Sequence, residues 1–458
     1  MNNLKKRYGK LPSSKNREKN LLEQFSKTLY NLFPNFNQWL ENIPDPRQEK
    51  KCEYGIKELL WLSLLLFLTS QESRQQYNHQ LLTQETRVTL ESMLGLDLPS
   101  LPHGDTLCHL WEKLEIEALD KLKVTLLKVL IRRRCLERFR FKRTYLIAID
   151  GVEIYRWKQR HCEHCLHSKS SKGEGEHYYH RVLEAKLVSR SGLSLSIASE
   201  FIENTQDNVS KQDCELKAFY RLSKKLKVLF PQLKMTLLAD GLYPKGPVFE
   251  ICSQFNWDFM IVLQDGSLTT LWEDFEGLMN MGDYAIGAKD TLPLWVDEDW
   301  LYRWQNKLDY QGQDFEGTLN LLEISKLDKQ TGAFERRRAF VTSHRLMKEE
   351  LKDLEKIGQQ RWKIENQGFD VQKHHGYALE HVYARDAQAM KVVYQLIQIA
   401  HLLNQLVLKA DILGVFSEIE NLKSYAKWFT QALNRGISFG IDELNLMKSQ
   451  VQIRWETG

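Results

Sequence analysis

The sequence predicts an α/β protein: a mixed-sheet core, an all-helical domain before it and a mostly β insertion within it. Three observations carry that reading. Apolar residues recur at close to a 3.6-residue period early in the chain, as at Leu21, Leu22, Phe25, Leu29 and Leu32. From Tyr145 the period changes to that of strands, in Val182–Val188 and Leu193–Ala198. Two aliphatic runs, Tyr145-Leu-Ile-Ala-Ile and Met235-Thr-Leu-Leu-Ala, each end in an Asp-Gly pair, Asp150-Gly151 and Asp240-Gly241, whose glycine is expected to turn the chain away.

With 458 residues the chain is too long for one simple core, so two to four structural units are expected. Hydrophobic residues at 42% and charged residues at 27% exclude wholesale disorder. The net charge of +4 is modest but clustered. Lys5, Lys6, Arg7, Lys10, Lys15, Arg17 and Lys19 face only Glu18 among the first residues, which suggests a flexible basic arm over 1–20. A second basic run, Arg132-Arg133-Arg134 with Arg138, Arg140, Lys142 and Arg143, leads into the first acidic strand. Basic segments beside strand-end acids suit a phosphodiester partner, whereas each run alone reads equally as a solvated helix face. The basic N-terminus has no apolar stretch behind it, so no signal peptide is expected. The longest apolar run, Leu59 to Leu68, is far short of the roughly 20 residues of a membrane span and reads as a core helix. Seven scattered cysteines fit a reducing cytoplasm.

In order, residues 21–140 form the helical domain, broken at Pro44-Asp45-Pro46 and again at Leu101–Asp105, where Asp105 or Thr106 caps the next helix. Residues 141–265 begin the core. The first strand is followed by a meander over 182–198, an amphipathic helix from Gln212 to Phe230 and the strand ending at Asp240. A helix over Pro244–Phe255 and a strand over Asp258–Leu263 complete this part. Residues 266–344, rich in Trp and Tyr, read as the β insertion. Helices resume over 345–410, and 411–458 is a helical tail. Strands, helix, strand, helix, strand is the order of an RNase H-like core.

Carboxylates at two strand ends are the raw material of a two-metal phosphoryl-transfer site, in which hard Mg²⁺ or Mn²⁺ ions take oxygen ligands. Either aspartate alone would read as a turn residue; the repeated pattern changes that. A third acid is sought after the insertion, where Arg361 and Glu365 are four residues apart on one helical face. Without the aspartates they are an ordinary ion pair. Together, Ala148-Ile-Asp150-Gly151, Leu238-Ala-Asp240-Gly241 and Arg361-Trp-Lys-Ile-Glu365-Asn366 resemble a DDE-type insertion-sequence transposase, over roughly residues 145–405. One large branch of that family carries a β insertion before its glutamate, and a tyrosine, arginine, glutamate, lysine signature around it. Here Gly358 stands at the tyrosine position and Gln372 at the lysine position, with Lys373 beside it.

The resemblance implies Asp150, Asp240 and Glu365 as catalytic metal ligands, with Arg361 and Lys373 as DNA-phosphate contacts. It also implies a homodimer that binds terminal inverted repeats, cuts the element ends and joins the 3′-hydroxyl to target DNA. A nucleoid-associated cytoplasmic protein with no membrane contact is expected. An RNase H-like nuclease without strand transfer and a non-catalytic zinc-containing DNA-binding protein are the alternatives. Beside the first acid, Cys162-x2-Cys165 and His177-x2-His180 offer two thiolates and two imidazoles, a candidate structural Zn²⁺ set. His161, His164 and His167 are also within reach. A His-rich loop that meets phosphate or solvent is the plainer reading. Trp295, Trp300 and Trp304 are read as core residues of the insertion rather than base-stacking platforms, and Arg336–Arg338 as an exposed basic strand able to lie along phosphate.

Overall fold

The computed structural model describes residues 14–48, 50, 52–169, 175–204, 212–283, 293–410 and 421–449. Seven helices come first: α1 (Ser14–Leu32), α2 (Phe36–Glu41), α3 (Ile56–Leu68), α4 (Arg74–Leu81), α5 (Gln84–Leu94), α6 (Gly104–Trp111) and α7 (Ile116–Arg132). Local chemistry sets several ends. The Ser73 and Thr83 hydroxyls accept from the backbone N–H groups of Gln76 and Thr86 at the starts of α4 and α5, and Gly95 takes the left-handed conformation after α5. Every residue of α3 from Glu58 onward is buried, so its all-round apolar surface marks the centre of a helical layer. The basic arm expected over 1–20 is helical from Ser14, and residues 1–13 lie outside the described residues.

The sheet follows: β1 (Tyr145–Trp157), β2 (Leu166–Lys169), β3 (Glu176–Val188), β4 (Ser194–Ile202), then α8 (Glu215–Leu229), β5 (Met235–Ala239), α9 (Gly246–Phe255) and β6 (Asp258–Val262). Next come α10 (Thr269–Asp283) and β7 (Leu294–Asp297), β8 (Trp300–Gly312), β9 (Phe315–Leu327) and β10 (Phe334–Thr342). Among the described residues all ten strands join one mixed sheet, in the order β2-β3-β1-β5-β6-β10-β9-β8-β7, with β4 also on β3. β1, β5 and β6 are parallel to one another, which the α8 and α9 crossovers permit. The insertion is therefore not a separate body. β10 pairs antiparallel with β6, Val341 opposite Ile261, and carries the core sheet onward into the long β8–β9 hairpin.

After the sheet come α11 (Leu351–Gln359), a π-helical turn over Ile364–Phe369, and α12 (Asp370–His374). The chain ends in α13 (Ala387–Ala410), α14 (Leu422–Leu433) and α15 (Ile441–Lys448). α13 packs on α1, α3, α6 and α7 on one side and on β4 on the other, so it joins the helical layer to the sheet. Its buried Gln395 accepts from Lys123 Nζ of α7 at 2.8 Å, and Lys123 also reaches Ser199 Oγ of β4 at 3.0 Å. α14 and α15 close over α1: Lys19 pairs with Glu443, Glu18 with Arg435, and the Arg17 guanidinium lies 5.1 Å from the centre of the Trp428 ring. Arg17 and Lys19, two of the charges counted in the basic arm, thus hold α1 to α14 and α15. No helix among the described residues is long and apolar enough to cross a membrane.

Candidate active site

Ala148 of β1 is opposite Leu238 of β5, and each aspartate lies two residues further along its strand direction. Neighbouring strands are about 4.8 Å apart, so Asp150 and Asp240 emerge side by side. At Asp240 the chain turns: Asp240 Oδ1 accepts from Leu242 N at 2.9 Å, an Asx turn. At Asp150 it does not. The expectation that Gly151 turns the chain away is corrected, because β1 runs on to Trp157 with Gly151 opposite Leu183 of β3. Glycine is required there for space: a Cβ would lie 2.8 Å from Glu215 Cδ.

Glu215 is the acid that sequence reasoning missed. It occupies the first turn of α8, where an acidic residue reads as a helix-dipole partner. In the fold it is buried, ion-paired with Arg181 and bonded by the Tyr243 hydroxyl at 3.3 Å. Burial holds its carboxyl above the ordinary value, with the Arg181 charge pulling down and the Asp240 charge pushing up. Its period on α8 and the proximity of Tyr243 to Asp240 were the only cues in the sequence.

Glu365 comes from the π-helical turn, which packs against β1, β3 and β4. π-Turns widen a helix by one residue and occur often at functional sites. Arg361 Nη1 bonds Glu365 Oε1 at 2.7 Å and approaches Asp150 Oδ2 at 3.4 Å, drawing the third acid toward the first. Burial and the adjoining Glu365 carboxyl push Asp150 up to about 7, against the pull of Arg361. Asp150, Glu153, Glu365, Asp370, Lys373 and His374 line a cleft of about 410 Å³, with the ring of Phe369 in its wall. Asp240 lies outside that lining. The three acids share a neighbourhood, with Arg361 between two of them, and do not close into a tight three-oxygen cluster.

The departures from the family signature have structural causes. A side chain on Gly358 would lie 2.6 Å from the Phe340 ring of β10, so a tyrosine has no room. Gln372 is fully buried, accepts from Lys186 Nζ at 3.2 Å and donates to Gln398 Oε1 at 2.8 Å. Lys373 instead faces the cleft, paired with Glu380 at 2.7 Å. The basic runs are largely spent on the protein itself. Arg133 bonds carbonyls of α1, Lys142 pairs with Glu350, Arg336 with Glu323, and Arg338 with Glu355. Trp295, Trp300 and Trp304 are partly buried against the core, as the core reading holds.

Of the candidate zinc set, Cys162, Cys165 and His180 come together, and His177 does not. His177 and His180 are three residues apart on a strand, which turns their side chains to opposite faces. His177 instead pairs in the ladder with Ser168. Among the described residues Cys162, Cys165 and His180 are the one Cys/His/Asp/Glu group with three ligand atoms within 4.8 Å of one another, compatible with a structural metal. Compared with known protein families and with curated proteins, the sequence matches none.

Proposed function

We propose that the protein is a DDE-type DNA transposase with an RNase H-like catalytic core, which cuts the ends of its element and joins them to target DNA. The observation that carries the reading is the pair of in-register aspartates, Asp150 and Asp240, with Glu365 drawn toward Asp150 by Arg361 at the mouth of a cleft. The donor set is all carboxylate, which suits Mg²⁺ or Mn²⁺ rather than a softer ion. Bound ions of this kind activate the attacking oxygen and stabilise the leaving one.

The protein's own residues do the rest. Asp150, Asp240 and Glu365 would hold the ions, and Arg361 keeps Glu365 in reach of Asp150. Lys373 stands on the cleft wall, where a phosphate of the bound strand would meet it. Glu215, locked by Arg181 and Tyr243, backs the aspartates as a buried acid rather than a ligand. In the first step water attacks a phosphodiester at an element end, the P–O bond breaks, and a 3′-hydroxyl is freed. In the second step that hydroxyl attacks a target phosphodiester and displaces another 3′-oxygen.

The test is cleavage and joining with end DNA in Mg²⁺. Asp150→Asn and Glu365→Gln proteins should bind ends as the wild type does and lose cleavage by at least about a hundredfold, the scale of losing a group acting only in the transition state. Undiminished cleavage by either variant would overturn the assignment. Pre-cut ends with an exposed 3′-hydroxyl separate the transposase from a nuclease, because only the transposase joins them to a second DNA.

A further inference from the structure

We infer that Cys162, Cys165 and His180 hold a Zn²⁺ ion that staples the chain leaving β1 to strand β3, and that His161, beside this group, turns in to complete the tetrahedron. The inference does not depend on the transposase reading. Cys162 Sγ and Cys165 Sγ are 3.7 Å apart, and His180 Nε2 lies 3.3 Å from the first and 3.6 Å from the second. Zn–S bonds of about 2.3 Å and Zn–N bonds of about 2.0 Å, at tetrahedral angles, require about 3.8 Å between sulfurs and about 3.5 Å between sulfur and nitrogen. The three ligand atoms already have that spacing. Backbone geometry supports it: Cys162 N donates to Cys165 Sγ at 3.4 Å, a bond that favours thiolate sulfur.

The fourth ligand follows from the partners of the remaining histidines. His164 bonds the Asn204 carbonyl at 3.1 Å and lies against Glu163, His167 leans on Tyr178, and His177 faces away. His161 lies outside the group of three as the structure stands, and its buried Nδ1 has no hydrogen-bond partner. Its ring stacks at 4.5 Å on Trp157, which meets His180 edge-on, so the two histidines share one aromatic wall. Two thiolates cancel the charge of the ion, so the closed site carries no net charge into a partly buried position. Asn204, at the end of β4, clamps the knuckle from behind by donating to the Cys165 carbonyl at 3.0 Å.

Metal analysis of the purified full chain should find one zinc per chain. Cys162→Ser and His180→Ala should abolish stoichiometric zinc, and His161→Ala should weaken binding at least about tenfold, the cost of one ligand or its supporting contact. His177→Ala should bind as the wild type does. Since a variant may fold poorly, Co²⁺ substitution in the wild type gives a second readout: intense tetrahedral d–d bands with thiolate charge-transfer bands are expected. Zinc-free protein after zinc-supplemented growth, weak octahedral cobalt bands, a Cys162–Cys165 disulfide in place of metal, or wild-type affinity in His161→Ala would each overturn the site as assigned.

Discussion

At Asp150 the side chain meets two opposing demands, water exclusion and a neighbouring acid on one side, Arg361 on the other. Its carboxyl keeps a proton up to about pH 7 in the fold and loses it near 3.8 when unfolded. Between those values the folded state binds more protons, so stability falls as pH rises through the window. In chelator, the unfolding midpoint of the wild type should drop from about pH 5 to about pH 7 relative to Asp150→Asn, which lacks the titration. Mg²⁺ should restore part of the loss. Parallel profiles for the two proteins would remove the assignment of the raised carboxyl. Gly151 sits at the same point for a different reason. Gly151→Ala drives a Cβ into the Glu215 carboxylate and should cost about 1–3 kcal/mol in denaturant unfolding.

At the scale of elements, the segment from α11 to α12 explains why the signature could be read only in part. Arg361 and Glu365 were legible because their spacing is local. Gly358 and Gln372 were not, since what decides them arrives from elsewhere: the Phe340 ring from β10, and Lys186 from β3. Lys186 is buried over the Phe369 ring, and burial pulls its ammonium down to about 8. Gln372→Lys would put a second cation against it and should cost roughly 3–5 kcal/mol, as for an unpaired buried charge. Adding Lys186→Gln should recover a coupling of about 0.5–3 kcal/mol. Independent, additive losses in the double-mutant cycle would refute the contact. The strands were legible for the same local reason as Arg361: alternation and aliphatic runs survive in one dimension. The length of β1 was not, because a glycine kept for Glu215 looks like one kept for a turn.

At the scale of the whole molecule, the first described helix is held against those that follow α13. Phe25 of α1 meets Phe429 of α14 with ring centres 5.0 Å apart, and both are fully buried. Phe429→Ala should therefore cost about 3–5 kcal/mol, measured by urea unfolding, although it is remote from the candidate site. The sequence divides neatly into consecutive domains because composition changes along the chain. The fold does not, because the helical layer is completed by α13 and the sheet by β10, the last strand of the insertion.

That closure has a consequence for how the protein is made. Lys123 leaves the ribosome long before Gln395, its partner 272 residues later. At synthesis rates of about 5–20 residues per second the gap is on the order of tens of seconds. Throughout that interval the apolar flank of α3 that α13 will cover has no native partner, and the nascent chain carries it exposed. A fragment ending near residue 140 should accordingly aggregate or bind chaperones rather than behave as a detachable DNA-reading module. For this chain the order of synthesis is not the order of assembly.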